Sequence, residues 1–329
     1  MKRFVKRTLF ALGALVLAGI AWFAYQVTHP PSMAPYSDRW LTPISTTTSK
    51  LRVTFLGVST VLLDDGETAI LTDGFFTRPN QRAVFTGKVA PNVEIITTSL
   101  QRMGIKRLAA VIVTHSHYDH AMDAPEVAKR TSALVVGSES TANVARGWGL
   151  TNESIRVVHD ADTLSFGRFQ ITFIRSQHAP TFLTGGTIDE PLIPPVRTNQ
   201  YKEGTSFSVL IKHDEKSLLI HSSAGFVDAA LKGQHADVVF LGIGSLGVQS
   251  NSYRQNYWRE VVRSVSARRV IPIHWDNFFM PLDYALQPLP SPFDHFDTSM
   301  TFLIESGQRD GVDIKLAPAW RAVDPFVGL

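Results

Sequence analysis

The sequence is 329 residues long, 44% of its residues are hydrophobic, and it contains no cysteine. This length suits one large domain or two small ones, and the composition is that of a globular protein. The formal net charge is +3, but four of the 32 basic residues lie within the first seven positions, which leaves 28 basic against 29 acidic residues in the remainder. A nearly neutral chain without a basic stripe excludes nucleic acid as an expected partner.

The N-terminal segment, residues 1–28, predicts a membrane-spanning helix. After its basic start, residues 8–27 contain no charged side chain, and about 20 apolar residues span a bilayer as a helix. Trp22 and Tyr25 lie where aromatic rings prefer the outer interface, and the positive flank should stay in the cytoplasm. The prediction is a single-pass membrane protein with an extracytoplasmic domain, periplasmic if the source is bacterial. A signal peptide that is cleaved to give a secreted protein is the alternative.

Residues 29–49 are rich in Pro, Ser and Thr and predict either a linker or an arm on the domain surface. Residues 50–329 then show the pattern of a folded domain. Strands are predicted at 51–56, 61–63, 68–72, 105–113, 169–174, 207–211, 217–220, 237–241 and 269–273. Helices are predicted at 123–130, with Asp123 as N-cap and Pro125 in the first turn, and at 255–266. This order indicates an α/β (α+β) fold of two facing sheets with helices outside.

Residues 114–120 read Thr-His-Ser-His-Tyr-Asp-His, directly after an apolar run that predicts a buried strand. His115 and His117 are two positions apart, so in extended backbone they face the same side. Asp119 and His120 follow as the chain turns and are placed to face a second ion. Imidazole nitrogen and carboxylate oxygen are ligands that zinc prefers. The run therefore predicts a metal site.

Other predicted strands also end in a polar side chain with ligand character. His178 follows the strand at 169–174 within a few residues, and His274 directly follows the strand at 269–273. His221 and Ser223 come at the end of the strand at 217–220. An isolated histidine at a strand end serves many structural roles, but beside a metal cluster His178 and His274 are expected to join the site.

Together these motifs resemble the metallo-β-lactamase superfamily over about residues 50–310. The carriers of the resemblance are the His-x-His-x-Asp-His run, the later His178, and His274 in Ile-Pro-Ile-His-Trp. Ile-Leu-Thr-Asp at 70–73 and the late Pro-Ile-His are similar to one branch in particular. That branch contains the L-ascorbate-6-phosphate lactonase-like proteins and the N-acyl-phosphatidylethanolamine phospholipase D enzymes.

The resemblance implies an αββα sandwich with a two-metal site between the sheet edges. The ligands it implies for the first ion are His115, His117 and His178. Those it implies for the second ion are Asp119, His120 and His274. Asp73 would orient a ligand imidazole from outside the ligand set. The expected cofactor is one or two divalent ions, zinc first, with manganese or iron as alternatives.

One position departs from the family pattern. Family members usually place an aspartate that bridges both ions after the strand corresponding to 218–220, whereas this chain has Ser223 there. A neutral hydroxyl lacks the charge and the two-oxygen reach of a carboxylate. Three outcomes are open: weaker binding of both ions, filling of one site only, or substitution by His221 on the same strand face.

A metal-bound hydroxide, oriented by Asp119 as the catalytic residue, would suit hydrolysis of an ester or a phosphodiester, including lipid-derived ones. The alternatives are a lactonase of small, phosphorylated substrates and a non-catalytic metal-binding protein that has lost the bridging aspartate. The long loop Ala179–Glu203, with apolar residues such as Phe182 and Leu183, predicts either a lid for an apolar substrate or a cover for the sandwich. Gly242–Ser252 is a second candidate rim, and Phe278 and Phe279 either wall a pocket or fill the core.

Overall fold

Two seven-stranded mixed sheets form the body of the molecule in the computed structural model, which describes residues 2–44, 51–180 and 185–329. The first sheet contains β1 (Arg52–Phe55), β2 (Val61–Asp64), β3 (Ala69–Thr72), β4 (Ala110–Ile112), β5 (Leu134–Gly137), β6 (Ile155–Val157) and β14 (Ala322–Val323). The second contains β7 (Thr163–Phe166), β8 (Phe169–Ser176), β9 (Ser206–His213), β10 (Lys216–His221), β11 (Val238–Gly242), β12 (Arg269–Ile273) and β13 (Asp313–Ile314).

Eight α-helices accompany the strands within the described residues. They are α1 (Lys2–Thr28), α2 (Gln81–Thr86), α3 (Val93–Arg102), α4 (Tyr118–Ala121), α5 (Ala124–Thr131), α6 (Glu139–Gly147), α7 (Asn251–Tyr257) and α8 (Phe296–Asp310). Helix α7 continues into a π-helical turn over Trp258–Arg263. Short 3₁₀ turns cover Ala34–Arg39, Asn152–Ser154 and Thr198–Gln200.

The alternation of side chains along the strands divides the core into two layers. In β4, Ala110 and Ile112 join the large cluster shared by both sheets, whereas Val111 joins the cluster beneath α3, α5 and α6. This is the period of two expected for a strand with both faces covered. The predicted αββα sandwich is therefore confirmed.

Strand direction brings the ends of several strands to one edge. The first sheet runs β14-β1-β2-β3-β4-β5-β6 and is parallel from β3 to β6. The second runs β13-β12-β11-β10-β9-β8-β7 and is parallel from β10 to β13. Ligand sites in such sheets form outside the carboxyl ends of parallel strands, and β3, β4, β10 and β12 all end there.

The N-terminal apolar segment forms a single helix, as predicted. Arg3–Thr28 is long and apolar enough to cross a membrane, and its most apolar 18-residue stretch has a mean hydropathy of 1.9 and contains no buried residue. The next segment lies on the domain: Tyr36 is buried and its hydroxyl donates to Asp297 Oδ1 at 2.9 Å. The remainder of the predicted linker, 45–49, lies outside the described residues.

Asp123 occupies the predicted N-cap position of α5, and Pro125 lies in the first turn, but the carboxylate makes no hydrogen bond to that helix. It accepts instead from Phe76 N at 2.8 Å, Thr77 N at 2.6 Å and Thr77 Oγ1 at 2.7 Å. Burial raises the pKa of Asp123 to about 6, although these three donors favour the carboxylate. The carboxylate of Asp123 therefore binds the distant turn at Phe76 and Thr77 in place of the first turn of its own helix.

Replacing Asp123 with alanine should lower the free energy of unfolding by about 2–4 kcal/mol, because one buried and two half-buried donors lose a charged acceptor. Loss of an ordinary N-cap would cost about 1 kcal/mol. Urea unfolding at pH 8, where Asp123 is ionised, measures the difference. The control is Asp160→Ala, which removes one exposed bond from Arg175 N. Equal losses in the two variants would contradict the assignment.

Candidate metal centre

Six side chains that follow the ends of three strands, β4, β8 and β12, meet at the edge between the two sheets. They form two groups, and within each group the ligand atoms lie within 4.8 Å of one another. The first group is His115, His117 and His178, and the second is Asp119, His120 and His274. These are the two sets implied by the sequence resemblance.

In the first group, nitrogen atoms of three imidazoles converge. His115 Nε2 lies 3.2 Å from His117 Nδ1. His178 Nδ1 donates to the Ala179 carbonyl at 2.8 Å, so its Nε2 carries the free lone pair. Burial, with the neighbouring His120 and His117, holds the pKa of His115 well below its usual value. A neutral imidazole with a free nitrogen is the form that ligates a metal.

In the second group, Asp119 lies between two imidazoles. Its Oδ2 is 3.3 Å from His274 Nε2 and 3.6 Å from His120 Nε2. Burial opposes ionisation of Asp119, but His120 and the hydrogen bond from His274 outweigh it and hold the pKa far below the usual range. His120 Nε2 is buried and has no hydrogen-bond partner. A buried polar atom without a partner is costly, and an ion between these side chains would satisfy it.

Asp73 determines which nitrogen of His120 faces this group. Asp73 Oδ2 accepts from His120 Nδ1 at 2.8 Å and from Ser59 Oγ in a short hydrogen bond. Asp73 Oδ1 accepts from Thr114 N at 2.8 Å, at the start of the histidine run. Both oxygens of one carboxylate therefore orient the run, in agreement with the predicted role of Asp73.

Ser223 and His221 have different places. Ser223 lines the same cavity as His117, Asp119, His178 and His274, and its Oγ accepts from Ala179 N at 2.9 Å. His221 belongs to neither ligand group. Its Nε2 donates to the Gly225 carbonyl at 2.7 Å, and its Nδ1 accepts from Ser208 Oγ at 2.7 Å. With both nitrogens bonded inside the second sheet, His221 supports the loop that carries Ser223 and does not replace a bridging carboxylate.

Two supports of the centre went unrecognised in the sequence. Glu203 Oε1 accepts from His178 N at 3.1 Å, and its carbonyl accepts from Ser116 N at 2.9 Å, so it joins two ligand segments. Arg78 and Asp276 form a fully buried ion pair at 2.6 Å, two residues beyond His274. The only sequence signals were a charge at the end of the loop 179–203 and an Arg-Pro pair after Asp73.

Two side chains of each group, His117 and His178 of the first and Asp119 and His274 of the second, form the floor of a cavity of about 440 Å³. Its walls are largely apolar and include Phe85, Phe278, Phe279, Leu289 and Phe293. Among the described residues that line it, Arg197 is the single permanently charged cation. Phe278 and Phe279 are thus pocket walls, and Gly244 and Ser245 confirm that the loop 242–252 contributes to the rim.

The described part of the loop Ala179–Glu203 contributes both to the cavity and to the cover of the sandwich. Arg197, Thr198, Asn199 and Tyr201 line the cavity. Ile188 is buried, and Leu192 and Val196 pack on the core cluster outside the first sheet, so these three apolar side chains cover the sandwich. Phe182 and Leu183 lie outside the described residues.

Burial of His221 makes the free energy of unfolding of the protein depend on pH. Burial lowers the pKa of His221 to about 4 from 6.5. Between these two pH values the unfolded chain binds a proton that the folded chain does not, so stability falls as the pH drops from 6.5 towards 4.

His221→Gln keeps a donor for the Gly225 carbonyl and removes the titrating group. The variant should lose about 1 kcal/mol at pH 7.5 and show a shallower fall in stability below pH 6.5. Urea unfolding of the metal-free protein from pH 4.5 to 7.5 tests this. His159→Gln, at a side chain that is 82% exposed, should leave the wild-type slope intact. An unchanged slope in His221→Gln would refute the assignment.

Comparisons with known proteins agree with this geometry. A UPF0173 metal-dependent hydrolase of Staphylococcus aureus is 23% identical over 235 residues, covering 69% of this chain and 87% of the relative. Igni18, a metallo hydrolase of Ignicoccus hospitalis, superposes with a TM-score of 0.52 at 15% identity, covering 83% of this chain and 97% of its own. YhfI of Bacillus subtilis, a metallo-β-lactamase fold protein, superposes with a TM-score of 0.51 at 14% identity, covering 84% of this chain and 100% of its own.

These structural likenesses show the fold alone, because the identities are low. The family model described as the metallo-beta-lactamase superfamily matches residues 53–220, half of the chain. That match contains the histidine run, Asp73 and His178. The chain therefore belongs to the metallo-β-lactamase superfamily.

Proposed function

We propose that this metal-dependent hydrolase binds two divalent ions and cleaves an ester bond in an amphipathic or lipid-derived substrate. The preferred bond is an anionic phosphodiester, and a carboxylic ester is the less favoured alternative. The observation that carries the proposal is the pair of three-ligand groups, each of which contributes two side chains to the floor of one largely apolar cavity. The floor supplies the chemistry, and the walls suit the apolar part of the substrate.

The residues present fit divalent ions. Five imidazoles and one carboxylate make a donor set suited to zinc, with manganese and iron as alternatives. The unpartnered, buried His120 Nε2 points to an ion in the second group. Asp73 fixes the tautomer of His120, as partners outside the ligand set commonly do at metal sites.

Ions held there would supply Lewis acidity and make water nucleophilic at neutral pH. The protein itself provides orientation and charge. The Asp119 carboxylate, ionised and held between His120 and His274, would accept a hydrogen bond from the attacking water and orient it. Tyr118 stays a neutral phenol, since burial raises its pKa well above the usual value.

The substrate preference follows from charge. Asp119 is the single carboxylate in the two ligand groups, and Ser223 adds none. Two divalent cations beside Asp119, with Asp294 as a second carboxylate and Arg197 as a further cation on the cavity lining, would leave the cavity with a net positive charge. An anionic phosphodiester would compensate this charge and a neutral lactone would not. A phosphorylated lactone meets the same requirement and is the second candidate substrate.

The domain assignment and the location belong to the same proposal. Residues 50–329 form the hydrolase domain, and α1 is retained as the membrane anchor, preceded by basic residues on the cytoplasmic side. The hydrolase domain then lies outside the cytoplasm, in the periplasm of a bacterium. The uninterrupted apolar run of α1 supports an anchor over a cleaved signal, whose apolar core is shorter.

The direct test is His117→Ala in the full-length, membrane-reconstituted protein. Wild type should contain two ions per chain and hydrolyse a phosphodiester faster than a neutral lactone. The variant should lose one ion, and its turnover should fall by more than about 100-fold, exceeding the loss typical of partners outside the ligand set. Elemental analysis and a panel of phosphodiester, neutral lactone and phosphorylated lactone measure both. The control is His159→Ala. Full metal content and turnover in His117→Ala would refute the proposal.

Ser223→Asp extends this test to the bridging position. The added carboxylate should raise metal affinity and lower the preference for anionic substrates, because it neutralises part of the floor. No change in either quantity would show that Ser223 does not face the ions.

Asp73→Asn should weaken metal binding by about 10–100-fold, because the amide no longer accepts from His120 Nδ1 without turning its own N–H groups towards other donors. Titration against a chelator measures the affinity. Asp65→Asn is a matched control, since Asp65 Oδ2 also accepts from a buried histidine, His213, at 2.9 Å. Equal metal affinities in the two variants would contradict the role of Asp73.

A further inference from the structure

A continuous line of aromatic rings joins the metal centre to the N-terminal helix. His274 packs against Phe278 with ring centroids 5.6 Å apart, and Phe278 packs against Phe279 at 4.7 Å. Phe279 lies 6.0 Å from Phe293, which contacts Phe23 of α1 at 6.4 Å. The cavity wall and the apolar helix therefore share one surface.

Phe85 completes this surface at the mouth of the cavity. Its ring is 5.7 Å from Phe279 and 6.3 Å from Phe293, with which it is stacked. We call Phe85, Phe279 and Phe293 the aromatic rim. Phe85 is 60% exposed, and such an exposed apolar group beside a cavity marks a contact with a partner or a membrane.

The position of Phe23 in α1 indicates how deep the aromatic rim would lie relative to the membrane. Phe23 lies five residues before the end of the helix at Thr28, which is about 7–8 Å along the axis. Trp22 and Tyr25 stack on each other at 6.0 Å on the same part of the helix. Trp and Tyr prefer the membrane–water interface, so the partner of Phe23, Phe293, lies at interface depth.

We propose that the aromatic rim inserts into the interface of the outer leaflet, so that the cavity opens onto the membrane surface. The occupant of the rim is the lipid bilayer, and the substrate enters with its apolar part still in the lipid. This inference rests on the proposed retention of α1 as an anchor. Continuity of the rim with α1 favours the bilayer over a second copy of the chain.

The absence of native cysteine allows a direct measurement with one label. Phe85→Cys in the full-length protein, labelled with an environment-sensitive fluorophore, is reconstituted into phosphatidylcholine vesicles. Nitroxide-labelled phosphatidylcholine should quench its emission several-fold.

The matched control is Val327→Cys, which is also 60% exposed. The Val327 carbonyl accepts from Arg269 at the start of β12, at the opposite end of that strand from His274. This label should be quenched little. Equal quenching at the two positions, or no quenching at Phe85, would overturn the proposal. So would pyrene excimer emission from labelled Phe85, since it would place a second copy on the rim.

The outcome is independent of the proposed chemistry. Quenching reports the depth of Phe85 and requires no metal and no turnover. Metal content and hydrolysis of a water-soluble phosphodiester are measured on unlabelled wild type in the same vesicles. Quenching without turnover would refute the proposed function alone, and turnover without quenching would refute the membrane contact alone.

Discussion

The hydrogen-bonded carboxylate of Asp73 is the interaction on which the centre depends. It lies at the end of β3 and accepts hydrogen bonds from Ser59, from Thr114 at the start of the histidine run, and from His120. One buried anion thereby joins three segments and selects the tautomer of a ligand. Without it, the donors at Thr114 and His120 would lack a charged acceptor, and the run would be held mainly by the hydrogen bonds of Ser116 to the segment 202–203.

Local pattern and strand position were sufficient for much of the site. The ligands at 115–120 lie within six residues, so turn geometry alone brings them together, and His274 directly follows a strand that could be read from its apolar run. Contacts between residues far apart in the chain could not be predicted from the sequence. Arg78 meets Asp276 across 198 positions, and Asp123 binds a turn 46 positions away in preference to its own helix. Tertiary donors outcompeted a local propensity there.

Ser223 connects metal binding with substrate choice. In the proposed two-ion centre, a bridging carboxylate would draw the ions together and cancel part of their charge, so a hydroxyl in its place would leave more of that charge for the substrate to neutralise. Ser223 is nevertheless held firmly, with Ala179 N bonded to its Oγ and His221 supporting its loop.

The contact between Phe23 and Phe293 has a consequence for how substrate is found. Moving an acyl chain from lipid into water costs about 0.8 kcal/mol for each methylene group. An enzyme whose cavity faced away from the bilayer would add that cost to every encounter. With α1 as the proposed membrane anchor and the cavity wall on the same surface, the search for a lipid-derived substrate would become lateral diffusion in two dimensions. The reaction rate would then follow the mole fraction of substrate in the leaflet, and its bulk concentration would be irrelevant.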